Sequence, residues 1–186
     1  MIRFAFFALA LAMPAAAQQV PDRAAAEREL FGARNSDLVI LRQPFLSDTD
    51  LATLQQMPKL AQLTYYGALA AAPSEGLQSE ATRGAFNYHS IAAARAAALR
   101  DCDRARAAGA ACAIVAEIRP RRFRDGRSLT LSQAATRALT GRDWRRAGRD
   151  AALAISPSSG AWGLGAGPAA AIAACGVADC TLAVAD

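Results

Sequence analysis

The sequence predicts an α+β fold, in which two degenerate strand-turn-strand-helix-strand units share a mostly antiparallel sheet and are stapled by disulfides. Three observations lead there. Two stretches read alike, Tyr66–Glu117 and Ala152–Asp186: each has a Pro-Ser turn closed by glycine, an alanine-rich segment running to a cysteine, and another cysteine opening an apolar run. Helical and strand patterns alternate along the chain. Finally, 53% of residues are hydrophobic but only 6% aromatic, so a core is affordable and must be packed mainly by Ala, Val, Ile and Leu.

Taken in order, Met1-Ile2-Arg3 is a positive start and Phe4–Met13 an apolar run that Pro14 breaks. Ala15-Ala16-Ala17 then supplies the small residues a signal peptidase requires. Residues 1–17 are therefore expected to be a signal peptide cut after Ala17, giving a periplasmic or secreted product. The apolar run falls short of the roughly 20 residues that cross a bilayer. Residues 18–64 form an N-terminal extension: a helix over Asp22–Ala33, a strand at Leu38–Leu41, and a second helix capped by Ser47 or Asp48 and carrying Leu51, Leu54 and Leu60. The first unit spans 65–118. Its turn is Pro73-Ser74-Glu75-Gly76, a strand follows at Ala85–Tyr88, and Ser90 caps a helix from Ile91 to about Ala107. Residues 119–150 read as an arginine-rich linker with one helix, Leu129–Leu139, capped by Thr130 or Ser132. The second unit spans 151–186, with the turn Pro157-Ser158-Ser159-Gly160 and with Pro168 opening a short helix to Cys175.

The four cysteines, Cys102, Cys112, Cys175 and Cys180, all follow the expected cut, and no pair has C-x-x-C spacing. In an oxidising compartment an even count points to disulfides, with three connectivities open. The repeat selects Cys102–Cys112 and Cys175–Cys180, because in both units a helix ends at a cysteine and the next strand begins at one.

That order of features resembles an uncharacterised family of small exported bacterial proteins. Its members carry a Tyr-Gly-Ala-Ile-Ala-x-x-Pro-x-x-Gly strand and turn, a Trp-Gly or Tyr strand, an alanine helix to a cysteine, and a cysteine-opened Val-rich strand. The matching residues are Tyr66–Gly76 with Cys102–Glu117, and Ala152–Asp186, about half of the mature chain. The chain departs from that pattern by an insertion, Leu77–Gly84, and by the arginine-rich linker. The resemblance implies export and disulfides, and carries no catalytic residue with it. Similar short exported proteins also bear a 5-aminolevulinate-synthase-like label. That chemistry needs pyridoxal phosphate on a lysine. Lys59, the only lysine, sits beside Pro58 without a glycine-rich phosphate loop, so it reads as a surface residue and no cofactor is expected.

Net charge is +5, unevenly placed: Arg119–Arg149 holds ten arginines against Asp125 and Asp143. Arg121, Arg122, Arg124, Arg145 and Arg146, interleaved with Phe123 and Trp144, are the candidate anion-binding residues. Their partner would be an envelope component, an anionic lipid or glycan or an acidic protein; nucleic acid is not expected for an exported chain. The other reading is a solvated linker anchored by Phe123 and Trp144. One histidine excludes a multi-histidine metal site, and no metal is expected. His89 is the sole imidazole base. Glu75, Glu80 or Asp101 could assist it, and Ser79 or Ser90 could be imagined as nucleophile, in a small periplasmic hydrolase. His89 is expected at a strand end, as a surface or capping residue. Gly163-Leu164-Gly165-Ala166-Gly167 reads either as a superficial phosphate loop or as a flexible approach to Pro168. The leading expectation is a non-enzymatic exported module that binds through loops, the insertion Leu77–Gly84 among them.

Overall fold

A computed structural model describes residues 20–186; the expected signal peptide lies outside them. The N-terminal extension forms α1 (Arg23–Glu29), β1 (Ser36–Ile40) and α2 (Asp48–Leu60). Asp22 caps α1, and Ser47 with Asp50 makes a reciprocal capping box for α2. The sequence suggested a longer first helix, but it stops at Glu29 because the Arg127 side chain takes the carbonyls of Arg28, Glu29 and Leu30.

β2 (Gly67–Ala71), β3 (Arg83–Ala85), α3 (Ile91–Ala105) and β4 (Ala113–Pro120) follow, then α4 (Gln133–Thr140) and α5 (Arg142–Ala147). The chain ends with β5 (Ala151–Ile155), β6 (Trp162–Ala166), α6 (Pro168–Cys175) and β7 (Thr181–Ala185). The class is α+β with antiparallel pairing throughout. The strands form two sheets, however, not the one shared sheet expected: β1-β4-β2-β3 and β6-β5-β7. β1 occupies the outer edge of β4. At the outer edge of β7, the Ala185 N–H bonds the Pro21 carbonyl at 3.1 Å. The N-terminal extension thus touches both sheets.

The two sheets are built alike. Leaving β1 aside, β2 and β5 are the inner strands, with β3 or β6 as hairpin partner on one side and β4 or β7 on the other. Both central strands pair irregularly with the last strand at the same Leu-Ala step, Leu69/Ala70 and Leu153/Ala154. Each sheet is covered on one face by an alanine-rich helix, with Ala94, Ala97 and Ala98 of α3 against Ala68 and Ala70. Ala171 of α6 packs against Ala152 and Ala154. Small side chains on both partners let helix and sheet approach closely. At Gly163 a Cβ would overlap the main chain of Ala171, Ala174 and Cys175, and at Gly165 it would lie 2.7 Å from Ala170. The Gly163-x-Gly165 pattern therefore seats α6 on β6, which accounts for it without a phosphate.

The opposite faces differ. The first sheet is covered there by α2, through Leu54 and Met57 against Val115, Leu38 and Ile40. The second is covered by Ala26 of α1, Leu131, Leu139 of α4 and Trp144 of α5. The segment read as a linker thus supplies part of the second core. α5 escaped sequence notice because Trp144 is its one buried residue amid charge. The disulfides are Cys102–Cys112 and Cys175–Cys180, with Cα atoms 6.1 and 6.2 Å apart, each tying a helix end to the following strand. The loops they close are short, so each bridge is expected to stabilise the fold by about 2–3 kcal/mol. Replacing either cysteine pair by serine should lower the urea midpoint correspondingly while leaving a cooperative transition.

Candidate functional site

His89 does not end a strand. β3 stops at Ala85, and Phe86–Ser90 crosses to the Ser90-capped helix α3. Contrary to the surface or capping role expected, His89 is 3% exposed. Its Nδ1 accepts the Ser132 N–H at 3.1 Å and its Nε2 donates to the Ala161 carbonyl at 2.9 Å, which sets the tautomer with the proton on Nε2. Both nitrogens are therefore spent on main chain from two other parts of the fold. The neighbouring residues work likewise. Asn87 holds a left-handed φ of 62° and accepts the Ala134 N–H through its side chain at 3.0 Å. Gly160 approaches the Asn87 carbonyl so closely that a Cβ would lie 2.6 Å from it.

The imagined partners of His89 are occupied elsewhere. Glu75 accepts the Ala107 N–H at 3.0 Å, tying its turn to the first disulfide loop. Asp101 pairs with Arg100 and Arg104 on the outer surface of α3. Ser79 Oγ accepts the Ala81 N–H, and Ser90 Oγ accepts that of Ala93. Glu80 differs: only its main-chain carbonyl accepts from the Arg83 guanidinium, and its carboxylate makes no hydrogen bond to His89 among the described residues. The insertion Leu77–Gly84 is itself built in: Leu77 is buried against one face of the first sheet and Ala81 against the other, and Arg83-Gly84 contributes most of β3. In the second half, Asp179 accepts from the Ser156 hydroxyl at 2.7 Å and from the Ser158 main-chain N–H at 3.2 Å. That joins its turn to the second disulfide loop. Donation from the Ser158 hydroxyl, at 2.6 Å, and from that of Ser156 holds the Asp179 carboxyl below its usual range.

The arginines divide. Arg121, Arg122 and Arg124 leave the end of β4 and surround the α1–β1 loop, Gly32–Asn35. Arg34, which sequence reading missed because it lies outside the arginine-rich run, joins them. None of the four has a carboxylate within ion-pair reach or a side-chain hydrogen bond among the described residues. Three adjoining depressions here, of about 240, 400 and 280 Å³, include Arg34, Arg121, Arg122, Arg124, Arg127 and Arg137 in their walls and no Asp or Glu. Arg122 adopts φ 62°, a costly region for a side chain without a local hydrogen bond. Beneath them runs a ladder of rings: Tyr65–Tyr66 at 5.4 Å, Tyr66–Phe123 at 5.9 Å and Phe123–Phe31 at 5.6 Å between centroids. Arg127 stacks on Phe31 at 4.0 Å and Arg119 on Phe123 at 5.3 Å. Burial pushes the Tyr66 hydroxyl well above its usual range, so it stays protonated.

Arg145 and Arg146 lie apart, on α5, and line none of these depressions. Arg146 pairs with Asp143 at 3.2 Å. Of the five candidate arginines, Arg121, Arg122 and Arg124 are thus brought together, whereas Arg145 and Arg146 are carried on α5, which packs on the second sheet.

Sequence reading also passed over Glu117, which is wholly buried and held by Arg95 of α3 and Arg119 of β4. The arginines reach solvent, at 43% and 29% side-chain exposure, so the cluster is a buried carboxylate neutralised from the surface. Among the described residues no group of three or more His, Cys, Asp and Glu side chains is placed to hold a metal ion.

Removing both guanidiniums (Arg95→Ala with Arg119→Ala) strands the Glu117 charge and should cost about 3–5 kcal/mol by denaturant unfolding. Glu117→Met should cost markedly less, because the arginines left behind can turn to water. Burial also holds the His89 ring below its usual pKa of 6.5, although its carbonyl contacts favour the charged form. The unfolded chain takes up this proton near pH 6.5 and the folded one resists it, so acid favours unfolding. Stability should be level above about pH 7 and decline as pH falls through 6.5. His89→Gln should be less stable at pH 7 and flat across that window, the separate loss from Asp103 and Asp179 beginning nearer pH 4. Comparison of this chain with protein-family models, with curated proteins and with solved structures returned no match.

Proposed function

We propose that the protein is an exported, non-enzymatic module of the cell envelope, periplasmic or secreted, that binds an anionic component through the arginine groove beside Gly32–Asn35. The observation that carries this reading is a wall of arginines without carboxylates. Arg34, Arg121, Arg122 and Arg124 have no carboxylate within ion-pair reach among the described residues, and stand on loops that adjoin the ladder of rings. Like charges so gathered repel one another, and an anion relieves that repulsion. The strained φ of Arg122 points the same way, since a free surface turn would place glycine or asparagine there. Two disulfides suit an oxidising compartment, and no described helix is long and apolar enough to cross a membrane. A non-enzymatic role is favoured over hydrolysis because both nitrogens of the sole histidine are bonded to main chain.

The test is binding to immobilised heparin as a soluble polyanion. Retention is expected to weaken steeply with salt, by about tenfold or more between low and several-hundred-millimolar ionic strength. Arg121→Glu with Arg122→Glu should abolish it, and Arg145→Glu with Arg146→Glu should leave it nearly intact. Salt-independent retention, or retention that survives reversal of Arg121 and Arg122, would sink the proposal.

A further inference from the structure

We infer that the arginine groove is a docking surface for an anionic lipid bilayer, with Leu60 as the side chain that enters the apolar boundary. This rests on the anion-binding reading above and names its ligand class. The three depressions form one strip: the first and second share Arg34 and Asn35, and the second and third share Gly32, Arg121 and Arg122. The strip leads to the end of α2, where Pro58, Ala61 and Gln62 line the first of these depressions. Between them lie Lys59, the chain's only lysine, and Leu60.

Leu60 is 82% exposed, whereas the next most exposed large apolar side chain among the described residues, Val177, is 46% exposed. Leu51 and Leu54 of the same helix are buried, so α2 has satisfied its core-facing side without Leu60. Leu60 lines none of the depressions itself but stands between Lys59 and Ala61 at the lip of the one that Pro58 and Ala61 share with Arg34, and a leucine held in water there gains nothing from a soluble phosphate or sulfate. It gains from a surface that offers phosphate headgroups to the arginines and, a few ångströms deeper, hydrocarbon to the leucine. Basic residues near an anionic leaflet add attraction roughly residue by residue, and long arginine side chains reach headgroups while their stems cover apolar surface. A polyanionic glycan would use the arginines and leave Leu60 idle, which makes Leu60 the discriminating residue.

The experiment is co-sedimentation of the disulfide-bonded protein with vesicles of phosphatidylcholine alone and of phosphatidylcholine mixed with phosphatidylglycerol, run beside the heparin assay. Binding is expected only to the anionic vesicles. Arg121→Glu with Arg122→Glu should lower that binding by about tenfold or more and remove heparin retention as well. Leu60→Ser should weaken vesicle binding by about three- to tenfold and leave heparin retention unchanged. Leu60→Trp should restore binding, with blue-shifted emission on the anionic vesicles. If wild type and Leu60→Ser partition equally, or if the protein binds heparin and no vesicle, the bilayer inference is overturned and the anion-binding reading stands. If the wild-type protein binds neither, both fall.

Discussion

His89 joins three parts of the chain that no strand pairing connects. Its ring leaves the first sheet's β3–α3 crossing, receives the Ser132 N–H at the start of α4, and donates to Ala161 at the start of β6. Ser132 is also the cap of α4, and the next residue, Gln133, exchanges hydrogen bonds with the main chain of Tyr65 at the entrance to β2. The first turn of α4 is therefore bound to the first sheet, while Leu139 and Ala135 of the same helix belong to the second core. A neutral imidazole suits this place because it both accepts and donates without carrying charge into a dry interface. Protonated, it would set one N–H against another. The relative placement of the two sheets depends on that bond pattern.

With the sheets held this way, the loops that leave them are brought to one side. The β4–α4 connection carries Arg121–Arg127, and the α1–β1 connection carries Gly32–Asn35. α1 is anchored to the second half by the Asp186 carboxylate, which takes the Arg23 N–H and the Trp144 indole N–H, each at 2.9 Å. β1 is anchored to the first half by its pairing with β4. The groove between these connections is consequently made from chain ends fixed in different cores. Arg127 shows the economy of the arrangement: it caps α1 and stacks on Phe31 while facing the same depression as its unpaired neighbours.

The two halves differ where the first has had to solve a charge problem. Glu117 pairs across the ladder with Ala68, and the corresponding partner of Ala152 in the second sheet is Ala185. A methyl there needs no partner, whereas the carboxylate draws Arg95 off the surface of α3 and Arg119 back along β4. Arg119 then stacks on Phe123, so the buried charge of the first sheet steadies the rings under the groove.

Local chemistry in the sequence determined the α+β class, the principal helices, the cap at Ser90 and the place of Pro168, and narrowed two other caps to Ser47 or Asp48 and Thr130 or Ser132, of which the fold uses Ser47 and Ser132. The disulfide pairing was legible as well, because in both stretches of the chain a helix runs to a cysteine and a strand starts from one. These are short-range properties: capping, periodicity and loop closure act within a few residues of each other. Of the candidate site, Arg121, Arg122 and Arg124 were visible as a charge run. Tertiary structure alone decided that Arg145 and Arg146 lie elsewhere, that Arg34 joins the groove, and that the arginine-rich segment supplies part of the second core. It also decided that the strands form two sheets and that the single histidine is a buried tie. Each of these turns on contacts between residues far apart in the chain, Ser132 with His89 and Pro21 with Ala185 among them. No local pattern encodes which distant main-chain group will meet a given side chain.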